Sequence, residues 1–186
     1  MTINNVPIQD VTKFKILGAL LSQNPMQSNM NEIGSKIVMA QKQFVRKKNI
    51  LQNRKIFLQT RVQILNATVR PVLLYALETM ATTQEQLRKI ESFYIKLLRQ
   101  MIHNGMKRKE NHSYVYTNEQ IMKITKTKPI KDHILKLQKR FLGHQIRLHN
   151  SNLIKQIIFH EEDSRKTGFL MNILLKNCVE NTQVDL

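Results

Sequence analysis

The sequence predicts a mainly α-helical bundle with a short β-hairpin at its N-terminus, and three observations lead there. Glycine and proline are scarce, five and four in 186 residues, so long helices meet few breaks. From Asn31 onward apolar residues recur at intervals of three and four, the period of a helix face. Before residue 25 that period is missing, and short extended runs stand between turn-forming residues instead.

At the N-terminus, "TINNVPIQ" offers two extended pieces around Asn4-Asn5, and "KFKILGALLS" is a further run closed by Ser22-Gln23-Asn24-Pro25. Together they make one small hairpin or sheet edge over residues 1–28, too little for an independent sheet. Ile33, Ile37, Ala40 and Phe44 then mark one face of a first helix running to about Leu51. A second helix carries Leu58, Val62, Leu65 and Val69 inward, with Lys55, Gln59, Gln63, Asn66 and Arg70 on its opposite face. Pro71 lacks an amide hydrogen and collides with the carbonyl of Ala67, so the helix stops or kinks there. Leu87, Ile90, Tyr94, Leu97 and Met101 form a seven-residue pattern for a third helix, which Asn104-Gly105 ends.

Residues 105–117 read as a basic loop, and Thr117 with Gln120 forms a capping box for a short helix. Pro129 opens another, with Ile134, Leu137, Phe141 and Leu148 inward and Lys136, Arg140 and Arg147 outward. His144 falls on its inward face, as a hydrogen-bonded core histidine would. Weaker helical segments follow Asn150, with a frayed end after Asn177. The chain thus divides into residues 1–28, helices over 29–104, the loop 105–117 and a second helical region 118–186.

Charge is the strongest bulk property: 30 Lys and Arg against 13 Asp and Glu give +17, a surface that attracts polyanions. A single cysteine, Cys178, cannot form an internal disulfide, which points to a reducing, intracellular setting. The start resembles no signal peptide, and the longest apolar run, near Val69 to Leu77, is too short to span a bilayer, so no membrane partner is expected.

Between Glu32 and Glu78 there is no acidic residue, yet the interval holds Lys36, Lys42, Arg46, Lys47, Lys48, Arg54, Lys55, Arg61 and Arg70. A solvated helix face ordinarily mixes signs, whereas single-sign surfaces suit contact with a phosphate backbone. A solvated face with no partner is the bland alternative. Lys136, Arg140 and Arg147 share a second stripe with Gly143, which allows either a ligand or another helix to approach.

Catalytic constellations are missing. Two-metal nucleotidyl transfer needs clustered carboxylates, and the one acidic cluster, Glu161-Glu162-Asp163, reads better as helix N-terminal charge. The six histidines fit no zinc-ligand spacing. No phosphate-cradling glycine loop occurs.

Five segments in order carry a family resemblance: "FKILGALLS" (14–22), "NEIGSKIVMAQKQF" (31–44), "RVQILNATVRPVLLYALETMATT" (61–83), "IESFYIKLLRQMI" (90–102) and "KRFLGHQIRLHN" (139–150). Over residues 1–150 the chain resembles the C-terminal, thumb and post-thumb part of a non-LTR (LINE-type) retrotransposon reverse transcriptase. In that family an F-K-Y-L-G segment follows the palm core, R-P-V-L-L-Y-G-x-E-T-W lies in the helical thumb, and L-G-H-x-x-R comes after it. This sequence has Ile16 where tyrosine is usual, Ala76 where glycine is usual and Met80 where tryptophan is usual.

The resemblance implies a thumb-like bundle whose N-terminal hairpin is left over from a palm. Phe14, Lys15, Ile16, Leu17 and Gly18 would be primer-grip-like. Lys36, Lys42, Arg46, Lys47, Lys55, Arg61, Arg70, Lys136, Arg140 and Arg147 would contact an RNA-DNA or DNA duplex, and Glu78 would pair with Arg70 or Arg88. The paired aspartates of the palm are not in the sequence, Asp10 standing alone. The expectation is therefore a fragment without catalytic residues or a cofactor of its own, although the intact family enzyme would need Mg, with the missing palm as a further partner. The alternative is a non-enzymatic helical protein-protein interaction module using the Val69–Leu77 and Leu87–Met101 stripes.

Overall fold

The computed structural model describes residues 2–3, 6–7, 11–16, 19–22, 25–80, 82–103, 105–110, 113–153 and 155–156. The chain is mainly helical, as its spacing predicts.

At the N-terminus β1 (Thr2–Ile3) pairs antiparallel with β2 (Val6–Pro7), and β3 (Lys13–Ile16) with β4 (Ala19–Ser22). These are two separate two-stranded ladders rather than one hairpin across residues 1–28, and among the described residues neither widens into a larger sheet. "KFKILGALLS" is split between β3 and β4, because pairing a strand with its own continuation closes a far shorter loop than reaching back to residue 2. Leu17 and Gly18 lie outside the described residues.

Helix α1 (Pro25–Arg46) starts several residues earlier than the spacing suggested, with proline at its first position. It buries Ile33, Ala40 and Phe44. The expected continuation to Leu51 is interrupted at Lys47, whose amide hydrogen is shared between the carbonyls of Gln43 and Phe44. A separate short α2 (Lys48–Leu51) follows, and the break lets Leu51 enter the core fully.

Helix α3 (Leu58–Thr68) and α4 (Arg70–Leu74) meet at Val69. Pro71 removes a hydrogen bond, but Val69 N–H still donates to Leu65 O and Leu73 N–H to Val69 O, so the path bends without unravelling. After Tyr75 the backbone turns through Ala76 at φ 57°, and a 3₁₀ turn covers Leu77–Thr79.

Helix α5 (Gln84–Met101) is the centre of the bundle, packing against α1 and α3 and against α6 (Asn118–Thr125) and α7 (Ile130–Arg147). Its apolar pattern is buried throughout: Leu87, Ile90, Tyr94, Leu97 and Met101. Two capping boxes start helices. Thr117 and Gln120 open α6 as predicted, and Thr83 and Gln86 open α5, a box that went unread in the sequence.

Helix α7 follows Pro129 as expected, but its inward face is rotated from the predicted one. Ile134, Leu135, Gln138, Leu142 and Gln145 are buried, while Leu137 and Phe141 are half-buried. His144 is consequently exposed and is no core histidine. Gln138, 0% exposed, causes the rotation: its amide donates to Leu77 O at 3.3 Å and Met80 O at 3.1 Å, locking α7 to the 3₁₀ turn. The Glu161-Glu162-Asp163 cluster and the tail after Asn177 lie outside the described residues, as does most of the helical tail expected after Asn150.

Candidate nucleic-acid interface

The basic residues between Glu32 and Glu78 separate into three populations. Lys42, Arg46, Lys47, Lys48, Arg54 and Lys55 are exposed and belong to the end of α1, to α2 and to the turn after it. That turn is built locally: Asn53 Oδ1 accepts from Lys55 N–H at 3.0 Å, and Asn53 O accepts from Ile56 N–H at 3.2 Å. Asparagine is suited to such self-bonded reversals.

Lys36 and Arg61 form the second population, and their predicted phosphate contacts are corrected here. Lys36 is 4% exposed, pairs with Glu32 at 2.6 Å and lies 5.2 Å from the centre of the Tyr75 ring. Arg61 is 6% exposed; its Nε donates to Ile56 O at 3.0 Å, and its Nη1 to Leu51 O at 3.1 Å and Met101 O at 2.7 Å. Burial, and then the charge of Arg54, lowers its pKa. Arg61 thus ties the end of α2 and the turn that displays Lys55 to the end of α5, which makes it a positioning residue. The sequence carried a signal for both: Lys36 lies four residues after Glu32 and four before the core Ala40, and Arg61 four before the core Leu65.

The third population is Arg70 alone, half-buried at the start of α4, just past the bend that ends α3. It lines a groove of about 930 Å³ between α3, α5, α7 and the segment 125–129. The polar stripe predicted on α3, Gln59, Gln63, Asn66 and Arg70, forms one wall. Lys136 and Lys139 of α7 form the other, and Lys126, Lys128 and Lys131 sit where the chain enters α7. Only Lys136 and Arg70 were predicted as contacts. The other lysines reach the groove through tertiary packing, which no helical period reports. Arg140 and Arg147 are exposed on α7 but outside the groove lining.

Within the groove Tyr94 donates its hydroxyl to Asn66 Oδ1 at 2.7 Å. Burial pushes the Tyr94 phenol up to about 12, with Arg70 opposing and Glu91 reinforcing the shift. His133 is held below its usual range by burial first, then by the charges of Arg70 and Lys136. Glu91 accepts from Lys131 N–H at 3.1 Å at the start of α7, and burial raises its carboxyl.

Residues 105–117 are ordered where described. Arg108 bridges to Tyr114, Lys109 N–H donates to Ser113 O, and Val115 N–H donates to Lys107 O. Arg99 anchors the segment from α5, donating to Tyr116 O and Asn118 Oδ1, each at 2.7 Å, with its guanidinium 4.2 Å from the Tyr114 ring centre.

Of the primer-grip-like residues, Phe14 is exposed, Lys15 and Ile16 belong to β3, and Leu17 and Gly18 lie outside the described residues. No ion pair joins Glu78 to Arg70 or Arg88 among the described residues. The stripes suggested for a protein partner, Val69–Leu77 and Leu87–Met101, supply Val69, Leu73, Leu74, Leu77 and the α5 pattern to the chain's own core, so they are no free surface.

Among the described residues no group of three or more His, Cys, Asp or Glu could hold a metal ion, and no helix is long and apolar enough to cross a membrane. What the arrangement offers is cationic and amide hydrogen-bond donors on a rigid helical frame. No family model, curated protein or solved structure matches the chain.

Proposed function

We propose that the chain is a nucleic-acid-binding, thumb and post-thumb part of a non-LTR retrotransposon reverse transcriptase, acting on duplex phosphates without catalytic residues of its own. The observation that carries this reading is the exposed, carboxylate-free set Lys42, Arg46, Lys47, Lys48, Arg54 and Lys55. Phosphate contacts of this kind position a duplex and do not read its sequence. The resemblance itself draws support from Ala76. The family pattern has glycine at this position, and the backbone here has φ 57°, where glycine is the favoured residue.

Salt titration of binding to an RNA-DNA duplex tests the reading. If about four side chains neutralise phosphates, log K falls against log salt with a slope of about −3.6. Lys47→Glu with Lys55→Glu weakens binding, whereas Lys89→Glu, at a position already matched by Glu85 at 2.9 Å, does so less. A flat salt response, or equal losses at the two places, rejects it. A protein-interaction module has one observation in its favour, the exposed Val38, Met39 and Val45 on α1. A salt-insensitive dimer in the absence of nucleic acid would support that reading.

A further inference from the structure

We propose that the groove between α3 and α7 is a separate binding site for a single-stranded polynucleotide, with Arg70, Lys136 and Lys139 holding phosphates and Gln59, Gln63 and Asn66 meeting base or sugar edges. This rests on the nucleic-acid reading above and assigns to it a second, strand-selective surface.

Charge makes the first argument. Arg70, Lys126, Lys128, Lys131, Lys136 and Lys139 all line the groove, against the single carboxylate of Asp132. Arg70, Lys136 and Lys139 have no ion-pair partner among the described residues. Cations gathered without counter-charge are held apart by the fold, and a polyanion relieves their mutual repulsion.

Size makes the second. A groove of about 930 Å³ falls within the roughly 300–1,000 Å³ of small-ligand sites, so it admits nucleotide units. Length agrees: Gln59 to Arg70 spans eleven residues of helical path, about 16 Å at ~1.5 Å per residue. That accommodates roughly five nucleotides at the ~3.4 Å rise of a stacked strand.

The amide wall makes the third, and it distinguishes a polynucleotide from an acidic peptide. Gln59, Gln63 and Asn66 recur on one face of α3, and Asn and Gln amides present the paired donor and acceptor that match base edges. Gln59 donates its amide to Ile124 O at 3.4 Å and keeps its oxygen as an acceptor, while Gln63 makes no hydrogen bond among the described residues. Asn66 is oriented by the Tyr94 hydroxyl on its Oδ1, which leaves its NH₂ group as a donor. An acidic peptide would need the lysines and make little use of such a row.

The test uses the full chain with a fluorescent mixed-sequence 12-nucleotide single strand and the corresponding duplex. Lys136→Glu with Lys139→Glu is expected to weaken single-strand binding at least about tenfold and duplex binding less than about threefold. Lys47→Glu with Lys55→Glu is expected to show the reverse order. Both lysines of the groove pair are exposed, and Lys136→Arg with Lys139→Arg is expected to retain single-strand binding.

His133 supplies a second readout. Arg70 faces it from the start of α4, Lys136 from its own helix, and Tyr94 and Asp132 line the same groove. A strand bound there raises the His133 pKa in an NMR titration, and the duplex leaves it unmoved. Equal losses on both ligands for the groove pair, an unmoved His133, or displacement of the strand by polyglutamate as readily as by unlabelled strand overturns the inference. Duplex binding without single-strand binding removes the groove site alone. Binding of neither removes the proposed function with it.

Discussion

Arg61→Met separates a positioning residue from a contacting one. The methionine keeps an apolar stem of similar length but takes the donor away from three carbonyls, those of Ile56, Leu51 and Met101. A hydrogen bond from a charged donor is worth about 1.5–3 kcal/mol net. Each carbonyl left without its donor costs about 1–3 kcal/mol, and relief of the guanidinium's desolvation, visible in its lowered pKa, offsets part of the sum, so the net loss settles at about 3–5 kcal/mol. For a chain of this size that is a fall in Tm of roughly 6–20 °C, at ~2–4 °C per kcal/mol.

Urea denaturation followed by far-UV circular dichroism measures it. At a temperature where the variant is still folded, duplex binding should stay within about threefold of the parent with an unchanged salt slope. Arg61→Lys should recover little stability, because an ammonium cannot fork to three acceptors. A variant as stable as the parent, with a salt slope shallower by about one, would refute the assignment and return Arg61 to the phosphate-binding set.

Three further outcomes follow from the structure. Lys36→Met breaks the buried Lys36–Glu32 ion pair and should cost about 3–5 kcal/mol; adding Glu32→Gln should restore part of the loss in the same melts. Ala76→Gly should raise stability by up to about 1 kcal/mol, since the left-handed backbone there costs an alanine about 1–2 kcal/mol and glycine's greater unfolded freedom offsets part of the gain. Glu91→Gln should flatten the pH dependence of stability. Burial raises the folded carboxyl above 4.5, so the folded chain keeps the proton to higher pH, and stability falls as pH rises from about 4.5 through the folded value. Melts of both proteins across that window should diverge, with the glutamine variant the more stable at neutral pH.

Helical period made most of the frame legible. The α5 residues Leu87, Ile90, Tyr94, Leu97 and Met101 were read as one face because a 3.6-residue repeat reports burial directly. Thr117, Gln120 and Pro129 were legible because capping chemistry is local. The rotation of α7 was not, since a buried Gln138 looks like surface until the carbonyls of Leu77 and Met80 are placed against it. The excess of charge is legible in the sequence, whereas the single-sign surface expected between Glu32 and Glu78 loses Lys36 and Arg61 to the interior. Lys36 and Arg61 stand in register with the core positions Ala40 and Leu65, a spacing that marks their face as inward but does not show the carbonyls on which the Arg61 guanidinium is spent. The groove was half visible: its α3 wall was written in the spacing of Gln59, Gln63, Asn66 and Arg70, while its opposite rim arrives from residues 126–139, more than fifty positions away.

Gln138 has a consequence for kinetics as well as for packing. It sits between Lys136 and Lys139 in sequence but faces the other way, fastened to the turn behind. The helix bearing those two cations therefore cannot slide or roll to greet an incoming ligand, so its alignment is settled when the chain folds. Encounter should then resemble a key entering a cut lock, with rates governed by long-range attraction and little delay for rearrangement.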